Sequence, residues 1–407
     1  MILTQLPPEF EAARPVLDTI TAAGYEAYFV GGCVRDTILG KPLHDVDIAT
    51  SAFPAEVKAL FKRTVDTGIE HGTVMILDHG TGYETTTFRT ESSYQDYRRP
   101  DSVTFVRSLQ QDLQRRDFTI NALAMKTSGE VVDLFDGLAD LKAGVLRAVG
   151  VAEDRFHEDA LRMMRAIRFA SQLDFDIEST TERAIQDNAA LLSKIAVERT
   201  RVEWEKLLTG QAPKRGLAAL LATDLYRYMP KMADQRAALV TLCDLPDWQL
   251  PDTASAWTLM AWLTGCRERQ QISRLLKAWK TSNELIMHVE AASHALAALK
   301  AYGRLTAREN FDVGHTALKT ANQVATLLGF GQSQAELDQA YSALPIHDKH
   351  ELAVNGGDLL RAGLVTPGPA MGQILAACLA AVINGKVKNE RAELLDFARM
   401  VADSKSD

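Results

Sequence analysis

The sequence predicts an α+β protein, in which an N-terminal head with a mixed sheet and packed helices precedes an elongated, all-helical remainder. Two observations support this fold class. Short β-branched or aromatic runs, bounded by Gly, Pro and Asp, are concentrated in about the first 150 residues. Beyond them, apolar residues recur at helical intervals, and the strong helix formers Ala and Leu dominate.

Each predicted element follows from one of these patterns. The predicted strands are residues 28–30, 46–48, 73–77, 83–88, 103–106 and 131–134. The predicted helices are residues 15–23 and 54–61 in the head, then 160–170, 197–208, 254–263, 271–279 and 372–383. We expect a head over 1–148 and three helical segments, which we call the neck (149–212), the body (213–315) and the tail (316–407). Turn-forming residues interrupt the helical part near residues 210–213, 250–252, 303 and 365–369.

Composition narrows the class of protein. Of the 407 residues, 46% are hydrophobic and 24% charged, which is typical of a folded soluble chain rather than a disordered one. The most apolar stretch, residues 371–383, is too short to cross a bilayer, and no secretory leader is recognisable. The four cysteines are scattered without a CxxC pair, which disfavours a zinc site and a disulfide framework. We therefore expect a cytoplasmic protein without a membrane partner.

The net charge of −8 taken alone argues against a nucleic-acid partner, because phosphate binding depends on Lys and Arg. Net charge averages over the whole surface, however, whereas a partner meets one face. The charge therefore leaves a nucleic-acid partner open.

A double-glycine turn follows the first predicted strand. Gly31 and Gly32 stand between residues 28–30 and a predicted helix start, with Arg35 one turn further on. Glycines allow close approach of the backbone, helix N-termini offer unpaired N–H groups to anions, and Arg35 could add a charged bond to a phosphate. Taken alone, such a sequence usually marks only a turn.

Two aspartates follow ten residues later. On a strand, Asp45 and Asp47 project from the same side, while Val46 and Ile48 enter the core. Paired carboxylates suit hard divalent cations such as Mg²⁺, which can clamp the attacking and leaving oxygens of phosphoryl transfer. Glu84, on another predicted strand, is the candidate third carboxylate, although it could equally be a paired surface residue.

In this order and spacing, GGxxRD followed by DxD resembles the DNA polymerase beta-like nucleotidyltransferases. Later blocks narrow the resemblance to class II tRNA nucleotidyltransferases (CCA-adding enzymes) and bacterial poly(A) polymerases. These blocks are RRDFTINA from Arg115, DLFDG from Asp133, EDALR from Glu158, and the helix around Glu198 and Arg199. Ordered motifs across residues 28–210 are specific where each alone is not. The resemblance favours the Gram-positive-type enzymes without an HD domain.

The resemblance implies roles for individual residues. Asp45, Asp47 and Glu84 would be catalytic, with Asp45 and Asp47 binding the metal. The implied nucleotide-binding residues are Gly31, Gly32, Arg35, Arg115, Arg116, Asp117, Asn121, Glu158, Asp159, Arg162, Arg165 and Arg168. By the same resemblance, the head is catalytic, the neck recognises the base, and the body and tail bind tRNA.

Hydrogen-bonding chemistry gives the EDALR block a specific function. Glu158, Asp159 and Arg162 are predicted to share one helix, where Glu158 and Arg162 would form an i,i+4 ion pair. Cytosine and adenine both present an amine donor beside a ring-nitrogen acceptor, whereas guanine and uracil present the reverse. Asp159 and Arg162 together match the first pattern and leave buried groups unpaired against the second. The alternative for such residues is a helix-surface salt bridge.

The expected activity is template-independent addition and repair of the 3′-terminal CCA of tRNA, with CTP, ATP and Mg²⁺. Poly(A) polymerase, CC-only and A-only addition remain alternatives, although the full-length polar segment at residues 91–106 favours complete CCA addition by resemblance. A non-catalytic RNA-binding protein and an antibiotic-modifying nucleotidyltransferase are alternatives of other classes. The oligomeric state is left open, with a homodimer as one option.

Overall fold

The computed structural model describes residues 1–43, 45–91, 94–95, 99–100 and 103–403. The chain divides into two compact units, Met1–Cys243 and Asp244–Asp407. The first contains the sheet, and the described part of the second is helical. The predicted α+β class, with strands in the head and helices beyond it, is confirmed. The finer boundaries at residues 148, 212 and 315 remain predictions.

The first unit is organised around a mixed sheet. The described strands are β1 Ala27–Val30, β2 Ile48–Thr50, β3 Thr64–Gly68, β4 Thr73–Asp78, β5 Thr81–Thr87, β6 Arg89–Glu91, β7 Tyr94–Gln95, β8 Arg99–Pro100, β9 Val103–Phe105, β10 Leu123–Met125, β11 Val131–Asp133, β12 Val145–Leu146 and β13 Asp176–Ile177. Seven of them form the sheet, in the order β11-β10-β1-β2-β5-β4-β3, and the others form two-stranded pairs. In the sheet, β2 and β5 pair in parallel, and the other neighbours are antiparallel.

One predicted strand needs correction. The strand predicted over residues 46–48 begins only at Ile48, so Asp45 and Asp47 precede β2 rather than alternating along it. The Val30 N–H still donates to the carbonyl of Asp47 at 3.0 Å, which anchors this approach to β1. Aspartate is a poor strand former, and both aspartates are exposed, whereas Ile48 is buried in the core. The carboxylates therefore stand at the end of the sheet.

Helices cover the sheet and continue as the neck. Those of the first unit are α1 Pro8–Ala22, α2 Gly32–Ile38, α3 Pro54–Leu60, α4 Leu109–Gln114, α5 Gly137–Ala143, α6 Ala152–Glu158, α7 Leu161–Leu173, α8 Ser179–Asn188, α9 Val197–Leu208, α10 Pro213–Ala222 and α11 Arg236–Asp244, which ends at the unit boundary. Short 3₁₀ helices occur at Ile69–His71, Thr119–Asn121, Ala189–Lys194, Leu225–Tyr228 and Lys349–Glu351.

The helix predicted to carry Glu158, Asp159 and Arg162 together is interrupted. Glu158 ends α6, Asp159 has extended backbone angles (φ −139°, ψ 101°), and Arg162 lies in the first turn of α7. The Asp159 carboxylate accepts a hydrogen bond from the Leu161 N–H at 3.1 Å. Aspartate favours such local bonds over helix continuation, which explains why a single helix was the wrong prediction here.

The second unit is helical throughout its regular elements in the described residues. Its helices are α12 Thr253–Leu263, α13 Arg269–Ala278, α14 Asn283–Tyr302, α15 Ala307–Val313, α16 His315–Leu327, α17 Gln334–Ser342, α18 Gly356–Arg361, α19 Pro369–Ile383 and α20 Arg391–Asp403. Trp257 and Trp279 are buried and meet edge to face, 5.3 Å between ring centroids. Within the part of the chain that the structure describes, no helix is long and apolar enough to cross a membrane.

Helices α7 and α10 approach each other closely. A Cβ atom at Gly216 of α10 would lie 2.9 Å from the carbonyl oxygen of Ile167 and 2.9 Å from the Cβ of Ser171, both in α7. Neither a backbone oxygen nor a Cβ can move aside without shifting its helix. Gly216 is therefore required by packing.

We predict that Gly216→Ala lowers the free energy of unfolding by about 1–3 kcal/mol, because it overpacks the α7–α10 contact. Urea unfolding followed by circular dichroism measures this. Gly372→Ala is the matched control, since Gly372 also lies within a helix but has no atom within 4 Å of an added Cβ. It should leave stability unchanged or raise it by up to about 1 kcal/mol. Equal effects of the two substitutions would contradict the packing argument.

Candidate active site

Asp45 and Asp47 line a cleft of about 440 Å³ together with Glu84. Ile48 of β2 pairs in parallel register with Thr85 of β5, which places the residues before them, Asp47 and Glu84, side by side. In the described part of the chain, no hydrogen bond or ion pair engages the carboxylate of Asp45 or Asp47. Two adjacent carboxylates are thus left without a protein cation bound to them.

The surroundings of Asp47 disfavour its charge. Although the residue is exposed overall, its carboxylate is partly desolvated in the cleft, and this raises the pKa of Asp47. Arg116 opposes the shift without reversing it, and Glu84 and Asp45 add to it. Uncompensated carboxylates of this kind are the hard oxygen donors that divalent cations prefer. No three acidic, His or Cys side chains among the described residues form a ready-made metal cluster. Metal binding by Asp45 and Asp47, with Glu84 as the third ligand, remains a prediction.

A second cleft, of about 490 Å³, adjoins the first at Asp47. Among the described residues, seven arginines and three aspartates line it, so its charge is opposite to that of the whole chain. The cleft is lined by all the predicted nucleotide-binding residues except Glu158. Asp45 and Glu84 line only the first cleft. The lining residues are Gly31, Gly32, Arg35, Asp47, Arg115, Arg116, Asp117, Asn121, Asp159, Leu161, Arg162, Arg165, Arg168, Phe169 and Arg199.

The glycine turn forms one wall of this basic cleft. Gly31 has a φ of +75°, and a Cβ atom there would lie 2.9 Å from Nη1 of Arg116. The positive φ favours glycine here, and a larger residue would also displace the Arg116 guanidinium. Arg35 donates to both carboxylate oxygens of Asp36, at 2.8 and 2.9 Å, and to Oδ1 of Asn121 at 2.7 Å. Its guanidinium is held in place before any ligand binds.

Arg115 and Arg116 share a counterion that the motifs did not indicate. Asp112, in α4, accepts from Nε and Nη2 of Arg115 at 3.1 and 2.7 Å and from Nη2 of Arg116 at 3.2 Å. Its side chain is only 1% exposed. The spacing i, i+3 and i, i+4 from Asp112 could have identified it, because such residues lie on one helix face.

Asp117 connects the head to the neck. Its Oδ2 accepts from Nε of Arg165 at 2.7 Å, and its Oδ1 accepts from the Phe118 N–H at 2.9 Å and from Nδ2 of Asn121 at 3.0 Å. Burial alone would raise the pKa of Asp117. The Arg165 guanidinium and the Asn121 hydrogen bond outweigh burial and hold the pKa well below its ordinary value. The carboxylate stays ionised near neutral pH.

Arg162 is fixed by three acceptors. Its Nη1 donates to Oε2 of Glu158 at 2.5 Å and to the carbonyl of Arg155 at 3.2 Å. Its Nη2 donates to the carbonyl of Arg115 at 2.8 Å. The expected pair of Glu158 and Arg162 is thus present, although the helix between them is broken. The bond to Arg115 ties the neck to the end of α4.

Asp159 is paired with an arginine from α9 rather than with Arg162. Arg199 donates to both of its carboxylate oxygens, from Nη1 at 3.2 Å and from Nη2 at 2.7 Å. Forty residues separate the two partners, so no local spacing indicates their contact. The sequence motif around Glu198 and Arg199 pointed to this helix but not to its contact with Asp159.

Phe169 lines the basic cleft, but no sequence motif pointed to it. Its ring lies 3.8 Å from the guanidinium carbon of Arg168, 4.9 Å from that of Arg35 and 5.4 Å from that of Arg165. Arg168 is also paired with the buried Glu203 of α9. An aromatic face and a carboxylate together allow several guanidinium groups to approach one another.

Family models and related proteins indicate the same protein family over most of the chain. Residues 27–147 match the poly A polymerase head domain, residues 174–236 match a probable RNA and SrmB-binding site of polymerase A, and residues 248–398 match a putative tRNA nucleotidyltransferase domain 2. A CCA-adding enzyme from Lactiplantibacillus plantarum is 75% identical over 406 residues, which cover 100% of both chains. One from Limosilactobacillus reuteri is 57% identical and covers 97% of this chain and 98% of its own.

Solved structures show the same architecture. The Bacillus stearothermophilus CCA-adding enzyme, solved in complex with CTP, superposes with a TM-score of 0.89 at 39% identity, covering 98% of this chain and 99% of its own. The Thermotoga maritima CCA-adding enzyme, solved with tRNA, shares the fold with a TM-score of 0.62 at 22% identity, over 97% and 96% of the two chains.

We predict that Asp117→Asn lowers the free energy of unfolding by about 3 kcal/mol at pH 7, since it leaves Arg165 without its buried counterion. Because the folded-state pKa of Asp117 is depressed, the stability it contributes is present above about pH 4 and is lost as the pH falls further. The difference between the variant and the unaltered chain should therefore shrink toward pH 3.

Urea unfolding at several pH values between 7 and 3 measures this difference. Asp66→Asn is the control, since Asp66 pairs with Lys58 on the surface and its loss should cost at most about 1 kcal/mol. A constant difference between Asp117→Asn and the unaltered chain down to pH 3 would show that the Asp117 charge does not contribute as described.

Proposed function

Because this chain belongs to the family of class II CCA-adding enzymes, we propose that it adds and repairs the 3′-terminal CCA of tRNA from CTP and ATP and releases pyrophosphate. The observation that carries this proposal is the junction of two clefts at Asp47. One contains carboxylates with no protein cation bound to them, and the other contains converging arginines beside Asp159 and Arg162. Nucleotidyl transfer needs a place for a charged reacting phosphate between its two substrates, and the junction offers one.

Nucleotidyltransferases of this family use divalent metal ions, and we propose Mg²⁺ held by Asp45 and Asp47. When bound, the metal supplies charge stabilisation at the reacting phosphate. Glu84, level with Asp47 on the neighbouring strand, is the proposed third carboxylate. The exposed carboxylates of Asp45 and Asp47 leave their oxygens accessible from the cleft.

In this proposal, the glycine turn and the arginines of the basic cleft bind the triphosphate. Gly31 and Gly32 let phosphate oxygens approach the backbone, and Arg35, Arg115 and Arg116 supply charged N–H donors. These guanidinium groups are already oriented by Asp36 and Asp112. Groups held in place before binding need no reorganisation when the pyrophosphate leaves with its charge.

Asp159 and Arg162 select the base. The amine of cytosine or adenine donates to the Asp159 carboxylate, and Arg162 donates to the ring nitrogen. Arg199 fixes the carboxylate, and Glu158 fixes the guanidinium. Because the carboxylate and the guanidinium are both held, neither can rotate to accept guanine or uracil. The ring N–H of these bases would face the Arg162 donor, and their carbonyl would face the Asp159 carboxylate.

Further residues support the nucleotide from α7 and the RRDFTINA block. We propose that Asp117, Asn121, Arg165 and Arg168 hold the sugar side of the site through their shared hydrogen bonds and the stack on Phe169. Asn121 both accepts from Arg35 and donates to Asp117, which joins the phosphate and sugar parts of the cleft.

We assign tRNA binding to the helical segments. The proposed division is a catalytic head over 1–148, a base-recognising neck over 149–212, and a body over 213–315 and tail over 316–407 that hold the tRNA. The match of residues 248–398 to a tRNA nucleotidyltransferase domain supports this assignment.

We propose a cytoplasmic location. All four cysteines are free thiols, and two of them, Cys33 and Cys378, are buried. Unpaired cysteines are typical of a reducing compartment.

We predict that purified protein with Mg²⁺, CTP and ATP extends a tRNA ending at the discriminator base by CCA and then stops, with no extension from GTP or UTP alone. Sequencing of the 3′ ends gives the product directly. Asp47→Asn should abolish incorporation while its unfolding transition stays close to that of the unaltered chain, because it removes a metal-binding charge at an exposed position.

The product distinguishes the alternatives. A long A tail would indicate a poly(A) polymerase, and CC or A alone would indicate a partial enzyme. Incorporation by Asp47→Asn at the unaltered rate would remove the metal assignment. No incorporation by folded, unaltered protein would contradict the enzymatic proposal.

We predict that Arg162→Ala relaxes base choice, lowering the preference for CTP and ATP over UTP and GTP by about tenfold or more. Competing incorporation of the four triphosphates into one tRNA measures it. Arg147→Ala is the control, because Arg147 pairs with Asp140 outside both clefts. Unchanged selectivity in Arg162→Ala would mean that its pair with Glu158 only joins α6 to α7.

A further inference from the structure

One buried carboxylate holds both arginines of the RRDFTINA block. Asp112 is 1% exposed, and its two oxygens receive three hydrogen bonds from Arg115 and Arg116. The backbone N–H of Arg89 makes a longer contact with Oδ1 at 3.4 Å. Asp112 does not line either cleft, so it does not reach a bound nucleotide.

The positions of Asp112, Arg115 and Arg116, which we call the trio, follow from helix α4. The helix runs over Leu109–Gln114, so Asp112 lies in its last turn and the two arginines follow where it ends. The carbonyls of Gln114 and Arg115, which lack helical partners, accept from Arg155 at 3.1 Å and from Arg162 at 2.8 Å. The backbone at the end of α4 is thus held by Arg155 and Arg162, whereas the guanidinium groups of the two arginines that follow are held by Asp112.

The charge of Asp112 offsets the repulsion between the guanidinium groups of Arg115 and Arg116. Two adjacent guanidinium groups repel each other and would separate or turn toward solvent without a shared anion. Burial acts to raise the pKa of Asp112, but Arg115 and Arg116 outweigh it, so the pKa is lowered and the group stays ionised. The trio keeps one net positive charge. Nε of Arg116 is buried and has no acceptor among the described residues.

The free edge of Arg116 faces the glycine turn. Its Nη2 is bound to Asp112, and its Nη1 lies 2.9 Å from the position of a Cβ at Gly31. Rotation of the guanidinium away from Asp112 would move Nη1 off the turn. The direction in which Arg116 presents its donors is therefore set by Asp112.

We propose that Asp112 is a positioning residue that orients Arg115 and Arg116 toward the triphosphate and so sets the affinity for the phosphate part of every nucleotide, independently of its base. This inference rests on the proposed function, because it takes the basic cleft as the triphosphate site. It assigns phosphate affinity to Asp112 and base selectivity to Asp159 and Arg162, which are separate contacts.

The test is steady-state kinetics of Asp112→Asn, which keeps the size of the side chain and removes its charge. KM should rise about tenfold for CTP and for ATP alike, with a smaller change in kcat and unchanged discrimination against UTP and GTP. Inhibition by pyrophosphate should weaken by a similar factor. Asp112→Glu, which keeps the charge, should recover part of the affinity.

Asp140→Asn is the matched control. Asp140 is a buried aspartate of the same unit that accepts from Nε of Arg147 at 3.1 Å and from Oγ1 of Thr119 at 2.6 Å, and it lines neither cleft. It should lose stability while KM for both nucleotides stays unchanged. If Asp112→Asn also loses only stability, the positioning role is overturned and Asp112 is a structural counterion.

Direct binding separates this inference from the proposed function. Calorimetric titration with inorganic tripolyphosphate needs no tRNA and no turnover, and Asp112→Asn should bind it about tenfold more weakly than the unaltered chain. Loss of binding in a chain that adds no nucleotides would sustain the inference while the proposed function fails. Normal CCA addition with equal tripolyphosphate binding in both proteins would overturn the inference alone.

Discussion

Repulsion among converging arginines is the constraint on which the rest of the site depends. Among the described residues, seven arginine side chains line one cleft. Like charges that lie close together disfavour folding unless nearby carboxylates offset them. The compensating acids come from several surrounding segments: Asp36 from α2, Asp112 from α4, Asp117 from the segment after it, Glu158 from α6 and Glu203 from α9. Several of these ion pairs join parts of the chain that are far apart in the sequence.

The same constraint explains why the acidic total charge is compatible with an anionic substrate. Among the described residues, seven arginines but only three aspartates line the cleft. Other carboxylates that neutralise these arginines, including Asp112, Glu158 and Glu203, do not line it. The cleft therefore carries an excess of positive charge, whereas the net charge of the chain sums over all its residues.

The sequence predicted the parts of this arrangement that depend on local spacing. Gly31 could be assigned from its turn, the Glu158–Arg162 pair from its i,i+4 separation, and the fold class from the change in periodicity near residue 150. It could not indicate that Asp159 pairs with Arg199, because that contact joins residues 40 positions apart across two helices. It also extended a strand over Asp47, although aspartate is a poor strand former and this residue is exposed. It extended a helix through Asp159, whose carboxylate instead accepts from the Leu161 N–H.

The bond from Arg162 to the carbonyl of Arg115 has a consequence for fidelity. Under the proposed function, this bond links the side chain that reads the base to the backbone of a phosphate-binding arginine. A base that displaces Arg162 would then strain the backbone at the end of α4, while Asp112 still holds the guanidinium groups of Arg115 and Arg116. We infer that wrong nucleotides are penalised by this strain in the speed of transfer, in addition to the hydrogen bonds that they fail to make.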